Sequence, residues 1–358
     1  MIDLTGYGYP TGAEYAASDG LLPARVTAVH REAFCAVCAH GEVDAKLKGR
    51  FYHLLEQAED FPTVGDFVLL QYNPQGESVI VRLLPRRTKF SRPDYSGHAV
   101  GYVKTTLEQV VAANFDYVFI LSSLNRDFNL GRIQRYLAAA WQSGGIPVVV
   151  LTKADLCENP GDFLAEVRGI APGVDLFAVS AQTGAGMEEL SARLKPGETI
   201  VFLGSSGVGK SSLVNALAGG ELMKVKDIRE DDAKGRHTTT HRQLFRLPSG
   251  ALVIDTPGMR ELGLWGADEG IREAFADVEE LLTCCRFSNC AHNGEPGCAI
   301  AAAIGNGTLS ADRWNSYRAL RRENAFNEQK AKQKERRALT GKRQTPPRSK
   351  RRIIDEDH

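Results

Sequence analysis

No apolar run in this 358-residue chain approaches the roughly 20 residues a bilayer-spanning helix needs, so a membrane-embedded transporter or receptor is excluded. The N-terminal stretch MIDLTGYGYPTGAEYAASDG has neither a basic start nor an apolar segment, so no secretory signal is read there and a cytoplasmic protein is expected. Internal repeats are missing, which argues against a solenoid or propeller. The chain also has no net charge, its 44 basic residues balancing 44 acidic ones, so affinity for a polyanion must come from local clustering.

One such cluster exists. Between Arg313 and Arg352 there are fifteen Lys and Arg against three Glu, a local excess of twelve positive charges, and this stretch reads as a polyanion-binding segment. The plainer alternative is a solvated tail. Cysteine is sparse and odd in number, at seven, and four lie between Cys284 and Cys298. Without a secretion signal, that clustering favours a metal site over disulfides.

At this length two or three units are expected. Residues 1–20 read as a flexible leader. Residues 21–92 carry short β-rich runs separated by Gly, Asn and Pro ("PARVTAVH", "AFCAVCA", "VGDFVLLQY", "SVIVRLL"), as a small five-stranded oligonucleotide-binding barrel would. Cys35 and Cys38 fall within one run and read as core. The stretch with Arg86, Arg87, Lys89 and Arg92 reads as an exposed basic linker. Over 100–265 the Val- and Ile-rich runs "YVFILSSL", "IPVVVLTK", "LFAVSA", "TIVFLGSS" and "ALVIDTPG" alternate with helical patterns, predicting an α/β unit with a mostly parallel sheet. A cysteine-rich, helical unit is expected over 266–340 and a basic tail over 341–358.

The strongest chemical signal is "LGSSGVGKSS". Gly204, Ser205, Ser206, Gly207, Val208, Gly209, Lys210, Ser211 and Ser212 form a Walker A phosphate loop between a strand and a helix. Its backbone N–H groups and the following helix dipole suit phosphates. Lys210 is read as reaching the outer phosphates and Ser211 as a magnesium ligand. "DTPG" supplies Asp255 as an outer-sphere magnesium carboxylate and Gly258 as an N–H sensor of a γ-phosphate. Between them, "KGRHTTTHRQ" offers a threonine that would complete the magnesium shell; Thr239 is the first candidate, beside Thr238 and Thr240.

Base identity is read from "TKAD". Asp155 can accept from both N1–H and the 2-amino group of guanine, a donor pair adenine lacks, so GTP and GDP are expected over ATP. Lys153 can lay its stem along the purine, and Ser180 with Ala181 of "VSAQTG" can present an N–H to the guanine O6. These motifs precede the phosphate loop, whereas guanine-nucleotide switches usually follow it with them. The order is that of a GTPase with its halves exchanged, which close-lying termini tolerate. After "DTPG" the chain runs directly into the cysteine-rich unit. A small-molecule kinase would instead want an adenine pocket and an acceptor lid.

"CCRFSNCAHNGEPGC" gives Cys285, Cys290, His292 and Cys298, three thiolates and an imidazole suited to one structural, tetrahedral Zn²⁺, with Cys284 an alternative to Cys285.

Together the permuted order, "GSSGVGKSS", "GRHTTT", "DTPGMRELGL" and the C-x4-C-x-H-x5-C pattern resemble the ribosome small subunit-dependent GTPase A (RsgA/YjeQ) family, over about Leu21 to Leu339. The resemblance implies an oligonucleotide-binding barrel, a permuted P-loop GTPase and a zinc-binding helical unit. It also implies a monomer that binds the small ribosomal subunit and its rRNA late in maturation and hydrolyses GTP faster there. The family's base motif often carries Asn where Thr152 stands, so one base contact is missing or remade. Met259 replaces the water-orienting Gln of many GTPases, and the resemblance makes His237 the candidate for that role. Gly207, where an Asn would indicate potassium assistance, gives no such prediction.

Overall fold

The computed structural model describes residues 1–10, 12, 20–30, 33–49, 61–93, 108–125, 127–223, 242–255 and 266–342. Short apolar runs become strands wherever expected. Leu22–Val29 (β1), Phe34–Cys38 (β2), Gly41–Leu47 (β3), Phe67–Gln71 (β4) and Ser78–Leu83 (β5) close into a five-stranded barrel, in the order β1–β2–β3–β5–β4, with β4 returning to β1. Ala24, Val26, Ala36, Cys38, Ala45, Val68, Leu70 and Ile80 fill its interior. Cys38 is buried as a core residue, and every cysteine is a free thiol.

Two sequence expectations fail in this region. The first ten residues are not a loose leader. Asp3 caps a single 3-10 turn over Leu4–Tyr7, and Leu4 is buried. The basic stretch is not a free linker either, although Arg87 and Lys89 are exposed as expected. Arg86 donates to both carboxylate oxygens of Asp66, at 2.8 and 2.7 Å, and to the Phe61 carbonyl at 2.8 Å, while Asp66 is fully buried. A buried carboxylate without that partner would be costly, so the arginine is drawn inward. Lys89–Pro93 (β6) then pairs antiparallel with Glu108–Ala113 (β7), with Phe90 stacked on Phe115.

The second unit is a sheet of Tyr117–Ser123 (β8), Ile146–Thr152 (β9), Asp175–Ala178 (β10), Thr199–Gly204 (β11), Arg242–Arg246 (β12) and Leu252–Asp255 (β13). The order is β10–β9–β8–β11–β13–β12, all parallel except β12. Strands buried on both faces need apolar residues at every position. Thus Val118 and Ile120 face one core with Val149, Leu151 and Leu203, while Phe119 and Leu121 face the other with Val148, Val150 and Phe202. Helices Leu130–Gln142 (α1) and Pro160–Ile170 (α2) cover the first face, and Met187–Ala192 (α3) and Lys210–Ala218 (α4) lie by the second.

Strand β12 also pairs antiparallel with β1, making barrel and sheet one eleven-stranded surface. Ala28, Gln243 and Asp255 lie in one row across three strands. The C-terminal unit comprises Asp268–Ala274 (α5), Ala276–Thr283 (α6), Ala299–Gly305 (α7) and the long Ala311–Lys342 (α8). Helix α5 crosses α1 so closely that a Cβ on Gly270 would lie 2.0 Å from the Ala138 carbonyl oxygen, so only glycine fits. No helix among the described residues is long and apolar enough to cross a membrane.

Candidate functional site

Parallel strands all end on one edge of the sheet, and loops leaving that edge converge where the strand order turns outward on both sides of β8 and β11. The glycine-rich loop follows β11. Gly207 and Gly209 hold φ of +72° and +102°, a backbone that side chains resist, and Val208 between them is buried as the loop's anchor. Gly209 precedes α4, whose first residues are Lys210, Ser211 and Ser212. Gly204 sits against Leu121 and Val208, and Ser206 is exposed. The loop therefore presents its N–H groups at a helix N-terminus, ready for an anion.

The segment Thr152–Asp155 reaches this loop directly, although 50-odd residues separate them in the chain. Thr152, buried at the end of β9, donates its hydroxyl to the Val208 carbonyl at 2.5 Å. Lys153 Nζ donates to the Gly207 carbonyl at 2.7 Å, across 54 residues. The single Thr152 proton goes to the loop, leaving that hydroxyl only acceptor capacity toward a base. Lys153 itself has φ +58°, uncommon for a lysine, and this turns the chain so that Asp155 stands exposed on the 3-10 turn Ala154–Leu156. Ala154 N–H donates to the Val179 carbonyl at 3.1 Å, joining this turn to the end of β10. There Ser180 is buried, accepts from Thr183 N–H at 3.1 Å, and closes a tight turn that leaves Ala181 half-buried.

On the phosphate side, Lys210 Nζ pairs with Asp255 Oδ1. Asp255 ends β13 beside β11, so the loop's cation and this carboxylate neutralise each other. His237, Thr239 and Gly258, and with them Thr238, Thr240 and Met259, lie outside the described residues.

One contact had no motif to announce it. Ser205 Oγ donates at 2.6 Å to Asp127 Oδ2, a residue 78 positions earlier in the loop between β8 and α1. Burial opposes the charge of Asp127, but hydrogen bonds from Ser205 and Arg132, with the attraction of Arg132 and Lys153, outweigh it and hold its pKa below the usual value. The only local hint is the polar run "NRDFN" directly after a buried strand.

The second constellation lies in the C-terminal unit. The ligand atoms of Cys285, Cys290, His292 and Cys298 all lie within 4.8 Å of one another. Cys285 Sγ and Cys298 Sγ are 3.6 and 3.7 Å from His292 Nδ1. Ligands about 2.0–2.3 Å from a tetrahedral zinc sit roughly 3.5 Å apart, so the spacing fits that ion. Three thiols and an imidazole are also the donor set that a zinc ion takes. Cys284, the alternative by one residue, is exposed and turned to the Glu280 carbonyl. Glu295 braces the knuckle by accepting from Asn293 N–H at 2.7 Å and Ala291 N–H at 3.1 Å. His292 packs edge-on against Trp314, seating the cluster on α8.

Residues 83–265 match the sequence model of the RsgA GTPase family. The chain belongs to that family. It is 47% identical over 307 residues to "Small ribosomal subunit biogenesis GTPase RsgA 1" of Listeria innocua, covering 86% of this chain and 84% of the relative. Against "Small ribosomal subunit biogenesis GTPase RsgA 2" of Lactiplantibacillus plantarum the identity is 41% over 327 residues, or 91% and 90% of the two chains. Among solved structures, YjeQ from Thermotoga maritima superposes with a TM-score of 0.62 at 27% identity, covering 84% of this chain and 97% of that one. YloQ, a circularly permuted GTPase, shares the fold with a TM-score of 0.61 at 22% identity, covering 89% and 99%. RsgA-family membership and the strand order agree on the architecture: an oligonucleotide-binding-type barrel, a permuted GTPase sheet and a helical unit with a Cys3His cluster. A GTP-hydrolysing enzyme using GTP, GDP and Mg²⁺ follows from the family.

Proposed function

We propose that this protein is a GTPase acting on the small ribosomal subunit during its late assembly, and that the pocket around Lys210 is where GTP is cleaved to GDP and phosphate. The observation that carries the reading is the pair of ties from Thr152 and Lys153 to the Val208 and Gly207 carbonyls. They bring the Thr152–Asp155 segment beside the glycine-rich loop despite the exchanged order, which supports one shared nucleotide site. The names of the relatives, all small ribosomal subunit biogenesis GTPases, supply the partner.

In this reading Asp155 accepts from N1–H and the 2-amino group of guanine, Lys153 lies along the purine, and the Ala181 N–H, set by the Ser180 turn, meets O6. Gly204 through Gly209 and Ser212 cradle the phosphates by their N–H groups, while Lys210 leaves Asp255 to meet the outer phosphates. Ser211, Thr239 and, through water, Asp255 would hold Mg²⁺, which supplies charge stabilisation on the phosphoryl oxygens. Gly258 N–H senses the γ-phosphate, and His237 orients the attacking water when the subunit is bound. Phosphoryl transfer then needs positioning and electrostatics, not a covalent intermediate. Zinc in the Cys285, Cys290, His292 and Cys298 cluster holds the C-terminal unit together. The barrel over 21–92, the helical unit over 266–340 and the basic tail from 341 onward grip rRNA around the GTPase unit of 100–265. The protein works as a cytoplasmic monomer.

GTP turnover with and without purified small subunits, over a salt series, tests this. Turnover should rise on the subunit, and the rise should fade steeply with salt as phosphate contacts are screened. Lys210→Ala should abolish hydrolysis, and His237→Ala should keep GTP binding but lose the subunit's stimulation. Turnover indifferent to subunits would reject the partner, and a preference for ATP in competition would reject the pocket.

A further inference from the structure

Asp127 belongs to neither the phosphate-loop, the base-reading nor the magnesium motif. It is nevertheless aimed from both sides. Oδ2 accepts from Ser205 Oγ at 2.6 Å, and Oδ1 accepts from Arg132 Nη2 at 2.9 Å. The same guanidinium also donates to the Asp127 carbonyl. Asp127 N–H donates to Asn125 Oδ1 at 2.9 Å, and Ser123 at the end of β8 donates its hydroxyl to that oxygen at 2.9 Å. Asn129 caps α1 through the Arg132 N–H at 2.8 Å. The carboxylate is thus fixed to the end of a buried strand and the start of a helix.

A glycine-rich loop has few side chains with which to hold its own shape, and its N–H groups bind phosphate only if they stay aligned. Thr152 and Lys153 hold the second half of this loop, at Val208 and Gly207. Ser205 stands in the first half, and its hydroxyl is engaged by Asp127, so its side chain faces the brace while its backbone remains for the phosphates.

We propose that Asp127 is a positioning residue for nucleotide binding, holding the first half of the phosphate loop in its binding shape through the Ser205 hydroxyl. This rests on the reading of the loop as a nucleotide pocket. Because the brace acts on the cradle shared by GDP and GTP, it sets affinity for both and leaves the chemical step alone.

The test is titration of the purified full-length protein with fluorescent GDP and a non-hydrolysable fluorescent GTP analogue, alongside steady-state hydrolysis and thermal melting. Asp127→Ala and Ser205→Ala should each weaken both nucleotides on the order of tenfold, the range expected when a hydrogen bond to a charged group is lost. The double variant should be no worse than the worse single one, since both remove one contact. Asp127→Asn, whose amide oxygen still accepts from Ser205, should recover part of the loss. The melting temperature of Ser205→Ala should stay close to that of the unaltered protein. Wild-type affinity in Ser205→Ala, losses that multiply in the double variant, or a loss confined to saturated turnover would each overturn the proposal. If Asp127→Ala does not fold, Ser205→Ala decides alone. Lys210→Ala separates the two levels of failure. If it loses nucleotide while Ser205→Ala does not, the brace falls and the pocket stands; if it binds as before, the pocket itself falls.

Discussion

Two buried arginines join the outer units to the GTPase sheet, and they do so by different chemistry. Arg25, on β1 and fully buried, donates to three backbone carbonyls, those of Tyr7, Gly65 and Asn114, and lies over the Phe67 ring. Burial lowers its pKa to about 9, with Asp116 and Asp66 opposing that shift from a distance, and it stays charged at neutral pH. Arg313, on α8, forms a two-pronged pair with Asp277, at 2.7 and 2.5 Å, beside the Ile170 and Ala274 carbonyls and the Phe275 ring. Around it, Arg321 bridges Asp268 and Glu279, and Arg135 pairs with Glu323. Arg25 itself is held by backbone carbonyls in a dry interior; the helical joint is a network of ion pairs reaching water. The first should be rigid and indifferent to salt, the second adjustable.

That contrast can be broken at several points. Loss of the zinc proposed for the Cys3His cluster should act most, because the segment 284–298 has little core and structural zinc sites contribute about 10 kcal/mol or more in small domains. Chelation or Cys290→Ser should open α6 to α8 to protease while barrel fragments stay resistant; a C-terminal unit that resists equally would end the contrast. Next, Arg25→Ala strands three carbonyls and should cost roughly 3 kcal/mol or more in urea unfolding. A cost below about 1 kcal/mol would mean that strand pairing alone makes the joint. Arg313→Ala should cost less, about 2 kcal/mol, because Asp277 is already 44% exposed and water can replace its partner. Smallest is ionic strength: molar salt should speed hydrogen exchange in α8 relative to β1 by an amount worth under about 1 kcal/mol. Equal changes in both would remove the distinction.

The sheet and its glycine-rich loop were legible because their signals are local. Apolar runs gave β8, β9, β10, β11 and β13, and the glycine pattern placed the phosphate loop on β11. What escaped notice depends on distant partners. β3 and β12 ("GEVDAKL" and "RQLFR") are polar on one face, and only neighbours in the sheet make them strands. Arg86 read as solvent-facing because its reason to be buried, Asp66, stands 20 residues away. Likewise nothing near Thr152 in the sequence announces that its proton goes to Val208, and Asp127 carried no motif at all. The cysteine register, open by one residue in the sequence, is decided by a helix end that turns Cys284 outward.

The row formed by Ala28, Gln243 and Asp255 has a mechanical meaning. Two strand spacings, about 10 Å, separate the barrel from the pocket carboxylate, and the interval is spanned by peptide hydrogen bonds, not by a hinge. A push on the barrel is therefore borne by the same ladder that ends at the Asp255–Lys210 pair, so the barrel is a stiff lever on the glycine-rich loop.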